Sequence, residues 1–349
     1  MTTATLTIDL DAIASNWRAL DAQSGKGVET AAVIKAFAYG LDSKPVAKTL
    51  AEAGARTFFV ADISEAHRVY AGAGHLGPKI FVFSSLMSDA DALDYRETGF
   101  IPLLNSIEQV ERFLEKIPEN KFGFQIDTGM NRLGFEEDEL SKARELIGDR
   151  TPELVISHLA CADEPDHPQN AAQLAEFKRM TGGWDVRRSL AATGGLLMGP
   201  DYHFDLCRPG VGLYGSLPFK EAKPAVSLSI QVIQVRHVAK GETVGYSAAW
   251  TALRPSKIAT VGAGYADGLI RSMGPNAKVW AGDQSCPVIG RVSMDMLTVD
   301  VTDLRHVPNA FDIIGPHQSV DDLAALAGTI GYEILTSLGA RYKRVYKGG

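Results

Sequence analysis

The first 225 residues repeat one pattern, in which a short run of β-branched and other apolar residues precedes a longer segment with helical spacing of apolar positions. We predict strands at eight such runs: 31–35, 57–61, 79–83, 101–104, 121–126, 153–158, 187–191 and 204–207. Amphipathic helices are predicted between most of them, at 42–54, 62–73, 106–117, 136–147 and 168–181. Asp42, Asp62 and Ser106 are candidate helix N-caps.

This alternation indicates parallel strands joined by right-handed crossover helices. Eight strands are the number that closes a (β/α)8 barrel. An open doubly wound sheet is the alternative, but it normally has no more than about six such units, and no GxGxxG motif follows the first strand. We therefore predict an α/β fold with an N-terminal (β/α)8 TIM-type barrel over residues 8–225.

The period of the pattern changes near residue 226. The segment VSLSIQVIQVRHV alternates as a strand does, and further strand-like runs follow it, punctuated by glycine and proline. Few segments have helical spacing before 319–328. We predict a mostly-β C-terminal domain over residues 226–349, and we expect the strand-like start of the chain, about residues 1–7, to pair with it.

Composition narrows the class of protein. Of the 349 residues, Lys and Arg total 35 and Asp and Glu 42, which leaves no basic surplus for binding a phosphate backbone. The start of the chain lacks a signal-peptide pattern, and no apolar run approaches the ~18 residues of a membrane span. The cysteines Cys161, Cys207 and Cys286 are too far apart for a disulfide framework or a zinc site. We expect a soluble cytoplasmic protein with no metal, nucleic-acid or membrane partner.

The reactive residues of a barrel stand at the C-terminal ends of its strands. Here Lys35 closes the first strand, and desolvation disfavours the charge of an ammonium in such a place. Its amine would then have a lowered pKa and could form a Schiff base with a carbonyl compound. The alternative, which is commoner for a lone lysine, is a side chain that extends from the strand end to water.

The loops after the seventh and eighth strands contain Thr193-Gly194-Gly195 and Pro209-Gly210-Val211. Barrels often bind a phosphate on backbone N–H groups of these two loops, where glycine lets the backbone approach an anion closely. Each glycine alone is equally compatible with a tight turn. A lysine opposite a phosphate site is the combination that pyridoxal 5′-phosphate (PLP) requires.

Seven segments between residues 31 and 296 carry a family resemblance: AAVIKAFAYG, QIDTGMNRLGF, SHLACADE, CRPGVGLYG, GYSAAW, GAGYADG and GRVSMDM. In this order they resemble the alanine racemase family, and the β-domain motifs separate that family from single-domain PLP-binding barrels. The resemblance implies a PLP-dependent isomerase that interconverts L- and D-alanine. It also implies a head-to-tail homodimer with shared active sites.

The resemblance assigns roles to residues. Lys35 would bind PLP covalently and act as the base on one face of the substrate Cα, and Tyr246 of the partner subunit would act on the opposite face. Inversion at carbon needs one acid-base group on each side, which agrees with this division. The other cofactor-binding residues would be Tyr39, Thr193, Gly210 and Val211 around the phosphate, Arg208 at the pyridine nitrogen and His158 against the ring.

The substrate carboxylate would be bound by Arg132 and, from the partner subunit, by backbone groups of Met294 and Asp295. The narrow entrance would be lined by Tyr265, Arg271, Arg291 and Asp163. Without the resemblance, the arginines could be solvated surface charge, and Tyr246 could be a strand tyrosine in a domain interface.

The chain departs from the family pattern at several positions. Gln125 stands where a carbamylated lysine usually orients the arginine, so an amide would have to hold Arg132, either alone or together with a bound anion. The usual asparagines are replaced by Phe37 and Ala192. At the expected C-terminal tyrosine stands Ala340, two residues before Tyr342.

These departures leave the preferred substrate open among small amino acids, serine included. A PLP-dependent decarboxylase is a weaker alternative, because Cys286 does not lie in a suitable motif. A PLP carrier without activity would not need Tyr246. The product would serve peptidoglycan synthesis or D-alanine catabolism.

Overall fold

The computed structural model describes residues 3–349 apart from the side chain of Pro275, and it shows an N-terminal barrel joined to a β domain. Residues 1 and 2, where the predicted leading strand begins, lie outside the described residues. Within the described range, no helix is long and apolar enough to cross a membrane.

The barrel contains eight parallel strands. Seven form one sheet in chain order: Ala32–Val33, Thr57–Val60, Lys79–Val82, Ile101–Leu104, Gly123–Gln125, Val155–Ile156 and Arg188–Ser189. The eighth, Leu206–Cys207, pairs in parallel with Glu29–Thr30, which directly precedes the first strand. Backbone N–H groups of Asp205 and Arg208 donate to the carbonyls of Arg188 and Ala191. These bonds close the sheet, and the predicted barrel is confirmed.

The predicted barrel helices are present, and their ends differ by a residue or less from those expected. They are Ser43–Ala53, Ile63–Ala73, Ile107–Lys116, Glu137–Ile147 and Pro168–Met180. The side chains of Asp42, Asp62 and Ser106 accept hydrogen bonds from the first turn, as N-caps do. A short turn of left-handed backbone, Lys35–Tyr39, follows the first strand, and a short helix, Thr193–Leu197, follows the seventh.

Two of the longer helices in the first half of the chain were not expected from the pattern. Asp89–Thr98 buries only Ala92 and Tyr95, so its apolar stripe is too thin to give a periodic signal. Leu10–Gln23 precedes the first barrel strand, outside the repeating order of strand and helix. Both have a side-chain N-cap, from Ser88 and Asp9 respectively.

The barrel strands are apolar on both faces because one face fills the interior and the other packs against the helices. Phe59 and Phe81, on adjacent strands, are buried with ring centroids 5.0 Å apart. The Arg208 guanidinium lies 5.8 Å from the Phe59 ring, so the aromatic core forms a floor beneath the strand ends.

The second domain is a closed ring of six strands. In order around the ring they are Val226–Val238, Ser256–Val261, Leu297–Asp300, Gln284–Ile289, Lys278–Ala281 and Ala310–Ile314. Ala4–Asp9 pairs with the long strand in antiparallel orientation and with Lys343–Lys347 in parallel orientation.

Three further elements of the second domain lie near its surface. A hairpin of Thr243–Val244 and Trp250–Thr251 extends from the long strand, and the helices Val320–Ala327 and Gly331–Ser337 follow the last strand of the ring. The second of these helices brings the C-terminal part of the chain back to the mouth of the barrel, where Thr336 lines a cavity.

The segment that links the domains is fixed by one buried amide. Asn16, on the helix Leu10–Gln23, donates to the carbonyls of Leu213 and Lys223 at 3.1 and 2.9 Å and accepts from the Lys223 N–H at 2.7 Å. Three backbone groups of the linking segment therefore depend on a single side chain.

We predict that Asn16→Ala lowers the free energy of unfolding by about 2–3 kcal/mol, because it leaves buried backbone groups without partners. Denaturant titration followed by circular dichroism measures this change. The matched control is Arg18→Ala, an exposed position on the same helix, which should leave stability nearly unchanged. Equal midpoints for the two variants would contradict the assignment.

Candidate active site

A cavity of about 490 Å³ opens at the C-terminal ends of the barrel strands. Its volume alone does not distinguish it, since a cleft of about 480 Å³ lies on the second domain beside Pro255. The polar groups that line it distinguish it from the other cleft. Nine of the residues singled out from the sequence line this cavity: Lys35, Tyr39, Arg132, His158, Asp163, Thr193, Arg208, Gly210 and Val211.

Lys35 is followed by an unusual backbone turn. The four residues Ala36–Tyr39 have φ between 53° and 57°, the left-handed region that side chains other than glycine avoid at a cost of roughly 1 kcal/mol each. The Glu65 carboxylate holds this turn, because it accepts the N–H groups of Phe37 at 3.1 Å and Ala61 at 2.9 Å. The rigid turn fixes the direction in which the lysine leaves the strand.

The surroundings of Lys35 lower the pKa of its amine. The protein walls disfavour its charge, the guanidinium groups of Arg132 and Arg208 repel it, and only Glu65 acts in the opposite direction. Although the side chain faces the cavity and is accessible to solvent, the two guanidinium charges lower the pKa independently of burial. Lys35 is therefore a good source of a neutral, nucleophilic amine.

Arg208 is buried without a carboxylate. Its guanidinium donates to the Ser157 carbonyl at 2.6 Å and to the Ser189 hydroxyl, both neutral acceptors. Burial lowers its pKa to about 10, which still leaves it charged at neutral pH. The uncompensated positive charge lies against the cavity, where it favours an anion or a neutral base over a protonated one.

His158 is neutral in this environment. Burial and the nearby cations Arg208, Arg132 and Lys35 lower the pKa of its imidazole to about 3. Its backbone is held by Gln173, whose amide donates to the His158 carbonyl at 2.9 Å and accepts from the Ala160 N–H at 2.8 Å. The buried Gln173 had no signal in the sequence, since it is one polar residue on an amphipathic helix.

The loops after the seventh and eighth strands meet at the far end of the cavity. The Thr193 hydroxyl accepts the N–H groups of Gly210 at 3.0 Å and Gly212 at 3.4 Å, so the Gly210 N–H is already used within the chain. The Val211 N–H has no partner among the described residues. A Cβ on Gly210 would collide with the Tyr39 hydroxyl, so the close approach requires glycine.

The C-terminal tyrosine at the cavity is Tyr332, not a residue at 340–342. Its ring lies 6.1 Å from that of Tyr39, whereas Ala340 does not line the cavity and Tyr342 is buried in the second domain. Tyr332 belongs to the helix Gly331–Ser337, which packs back to the barrel mouth. That long-range packing could not be inferred from spacing along the chain.

Arg132 is positioned by Asp127 rather than by Gln125. The Asp127 carboxylate accepts the backbone N–H groups of Gly129 at 2.7 Å and Arg132 at 3.1 Å, which shapes the loop. Gln125 donates to the Leu133 carbonyl at 3.2 Å, and its side-chain oxygen is buried without a partner. The expected contact between the Gln125 amide and the Arg132 side chain is therefore not formed.

The remaining predicted site residues lie on the second domain and do not line the cavity of their own chain. They are Tyr246, Tyr265, Arg271, Arg291, Met294 and Asp295, all exposed. Tyr246 stands at the tip of the hairpin with 70% of its surface exposed, beside Ser247 and Ala248 at φ 58° and 49°. A strained turn that presents an aromatic residue to solvent is typical of a contact with another molecule.

Within the described residues no group of three or more His, Cys, Asp and Glu side chains could hold a metal ion. The cavity is instead dominated by cations, since Lys35, Arg132 and Arg208 line it and Asp163 is the one carboxylate among the described lining residues. Burial and the neighbouring Glu164 raise the pKa of Asp163. The cavity is thus suited to an anionic ligand that reacts with an amine.

We predict that Lys35 reacts with an amine-acylating reagent at a pH below the 10.5 typical of lysine, because its lowered pKa supplies neutral amine earlier. Peptide mass spectrometry of cofactor-free protein, labelled across a pH series, measures the profile. Arg132→Ala removes a nearby positive charge and should move the profile to higher pH. A profile centred on 10.5 in both proteins would contradict the account.

Comparisons with known proteins agree on one family. The family models for the alanine racemase N-terminal and C-terminal domains match residues 8–218 and 225–346. Curated alanine racemases of Dinoroseobacter shibae and Cereibacter sphaeroides (strain ATCC 17029 / ATH 2.4.9) are 57% and 56% identical, over 100% and 99% of this chain and 99% of each relative.

Solved structures agree with the sequence comparisons. The alanine racemase of Bartonella henselae, crystallised with covalently bound pyridoxal phosphate, matches at 37% identity with a TM-score of 0.93, covering 99% of this chain and 100% of that one. The biosynthetic alanine racemase of Pseudomonas aeruginosa matches at 36% identity with a TM-score of 0.91 over the full length of both chains. With both family models matched in order along one chain, this protein belongs to the alanine racemase family.

Proposed function

We propose that this protein is a PLP-dependent isomerase that interconverts L- and D-alanine, and that it works as a head-to-tail homodimer. The observation that carries the proposal is the content of the cavity. It holds a lysine of lowered pKa beside a buried arginine that has no carboxylate partner among the described residues. Its other basic side chains are Arg132 and a histidine whose pKa is about 3. The relative from Bartonella henselae carries covalently bound pyridoxal phosphate.

The residues present fit PLP. Lys35 supplies the amine, and glycines at 194 and 210 leave space that a Cβ would fill, beside the Ala162 carbonyl and the Tyr39 hydroxyl. The free N–H of Val211 is a donor for the phosphate. Thr193 would contribute through its hydroxyl, which now holds the Gly210 N–H. Tyr39 and Tyr332 complete the polar lining.

When bound, PLP would supply an electron-withdrawing ring that makes the α-proton of alanine acidic. Arg208 would lie at the ring nitrogen. Since a guanidinium gives up no proton at neutral pH, it would keep that nitrogen unprotonated and weaken the electron withdrawal. A weaker electron sink disfavours side reactions such as transamination. His158 would pack against the ring in its neutral form.

Two groups would move protons on opposite faces of Cα. Lys35 Nζ takes the proton from one enantiomer, and the partner's Tyr246, through its phenolic oxygen, returns a proton to the other face. In the reverse direction the two groups exchange roles. A neutral His158 can accept a hydrogen bond from the phenol without adding a positive charge to a site that already holds three cations.

The substrate carboxylate would be bound from both subunits. Arg132 provides a charge from the cavity wall. Met294 and Asp295 offer two successive backbone N–H groups without partners among the described residues, an arrangement that binds anions. Tyr265, Arg271 and Arg291 from the partner, with Asp163 of this subunit, would form a narrow entrance that selects small amino acids, alanine above all.

The homodimer is supported by what one copy leaves exposed. Tyr246 and Leu253 have 70% and 83% of their surface accessible, and Met294 has 53%. These apolar residues lie on the second domain, which carries the groups that the cavity lacks. We further propose a cytoplasmic enzyme whose product enters peptidoglycan synthesis or whose substrate is D-alanine destined for breakdown.

We predict that Lys35→Ala and Tyr246→Phe each abolish most alanine racemisation, whereas a mixture of the two refolded together regains activity. In a hybrid dimer, one cavity receives both wild-type groups, so random pairing restores about one quarter of the wild-type sites. Chiral chromatography of alanine measures the rate.

The control for this mixture is each variant mixed with itself, which should stay inactive. Wild-type rates in Tyr246→Phe would refute the role of the phenol. Two inactive variants that fail to complement would refute sharing of the site between subunits.

A further inference from the structure

Two loops of the second domain form one unit. The turn at residues 264–268 and the loop at residues 293–296 are joined by backbone hydrogen bonds of 3.0 Å, from the Tyr265 and Ala266 N–H groups to the carbonyls of Ser293 and Met294. A Cβ on Gly264 would collide with those same carbonyls, so the two backbones are in direct contact. What fixes one loop therefore fixes the other.

Arg341 clamps this unit from the end of the chain. Its guanidinium donates to both oxygens of Asp267 at 2.7 and 2.8 Å, a bidentate pair, and to Asp295 at 2.7 Å. Asp267 is buried and also accepts the Gly264 N–H at 2.9 Å. One side chain thus connects the turn to the loop, through carboxylates that both point at it.

The clamped loop carries unpaired donors. The N–H groups of Met294 and Asp295 have no acceptor among the described residues, while the carbonyls of Ser293 and Met294 are held by the neighbouring turn. The peptide planes are therefore fixed with their donors directed away from their own turn. Fixed, unpaired backbone N–H groups bind a carboxylate better than mobile ones, because less conformational entropy is lost.

We propose that Arg341 is a positioning residue which holds the 293–296 loop in the geometry that binds the substrate carboxylate in the partner's cavity. The inference depends on the proposed function, because it takes the alanine carboxylate as the ligand of this loop. It goes beyond that proposal in one respect. Arg341 does not line the cavity, yet it would control how tightly the partner's cavity binds the substrate.

Arg341 makes two ion pairs of different kinds. About half of the Arg341 and Asp295 side chains is exposed, so that pair adds little to the free energy of unfolding. The pair with the buried Asp267 contributes to local stability as well as to the position of the turn. Among the described residues, the other hydrogen bonds between the two loops are backbone bonds. Loss of the clamp should free the loops while the strands beneath them stay folded.

The test is a KM-against-kcat comparison of three purified, PLP-loaded variants. Arg341→Ala should raise KM for alanine about tenfold, the effect of losing one charge-assisted hydrogen bond, with kcat close to wild type. Arg341→Lys keeps the charge but not the bidentate geometry, so its KM should lie between those of the wild type and Arg341→Ala. Arg254→Ala removes another exposed pair, with Asp303, on the same domain and should leave KM unchanged.

A second readout separates positioning from damage to the fold. The affinity for PLP, from an absorbance titration of protein prepared without cofactor, should be the same in Arg341→Ala and Arg254→Ala. The melting temperature of Arg341→Ala should be lower by only a few degrees, because the buried Asp267 loses its ionic partner. Loss of PLP affinity or a large fall in melting temperature would mean that Arg341 is structural, and would overturn the proposal.

Hybrid dimers test the action across the interface. Affinity-tagged Lys35→Ala subunits, refolded with untagged Arg341→Ala subunits and purified by the tag, contain active cavities only in hybrids. Each such cavity has its lysine from the Arg341→Ala chain and its loop from the chain with Arg341 intact. We expect wild-type KM in these hybrids, and a raised KM would overturn action in trans.

The proposed function and the role of Arg341 can be refuted separately. Absence of alanine racemisation by the wild type would overturn the proposed function and this inference with it. Wild-type activity together with an unchanged KM in Arg341→Ala would overturn only the role of Arg341.

Discussion

A guanidinium buried without a carboxylate organises this site. Removing a charge from water is costly, and Arg208 recovers that cost only through neutral acceptors on the sixth and seventh strands. These hydrogen bonds form only if the two strands end level with the Arg208 guanidinium along the barrel axis. Burial is the main cause of the lowered pKa of Lys35 and of His158, and the Arg208 charge lowers both further. Closure of the barrel therefore contributes to the protonation states of the cavity.

The cavity holds one of the two acid-base groups that the proposed mechanism assigns, the Lys35 amine of lowered pKa. The mechanism needs a second group on the opposite face of the substrate Cα. The candidate for that role, Tyr246, is on the other domain and exposed. Both groups stand beside left-handed backbone in residues other than glycine, at Ala36–Tyr39 and at Ser247. A strained backbone of this kind persists only where surrounding contacts stabilise it. It costs stability, but it holds the neighbouring side chain in a fixed direction.

The sequence predicted those parts of the fold that depend on local pattern. Strand-helix alternation was sufficient for the barrel, and it placed Lys35 at a strand end, where a barrel carries its reactive groups. The roles proposed for His158 and Arg208 came from the family resemblance. Tyr332 was missed because a helix of the second domain returns to the barrel mouth. Gln173 and Arg341 were missed because their partners lie far away in sequence, and a single polar residue on a helix or near a chain end gives no periodic signal.

The central claim is that protons are exchanged on two faces by two different groups. The most direct test follows L-alanine in D2O with the PLP-loaded enzyme at early times, using NMR for the α-position and chiral chromatography for D-alanine. The account predicts that new D-alanine carries deuterium at Cα while the remaining L-alanine keeps its protium. D-alanine that retains the original protium would show a single base acting on both faces and would contradict the account.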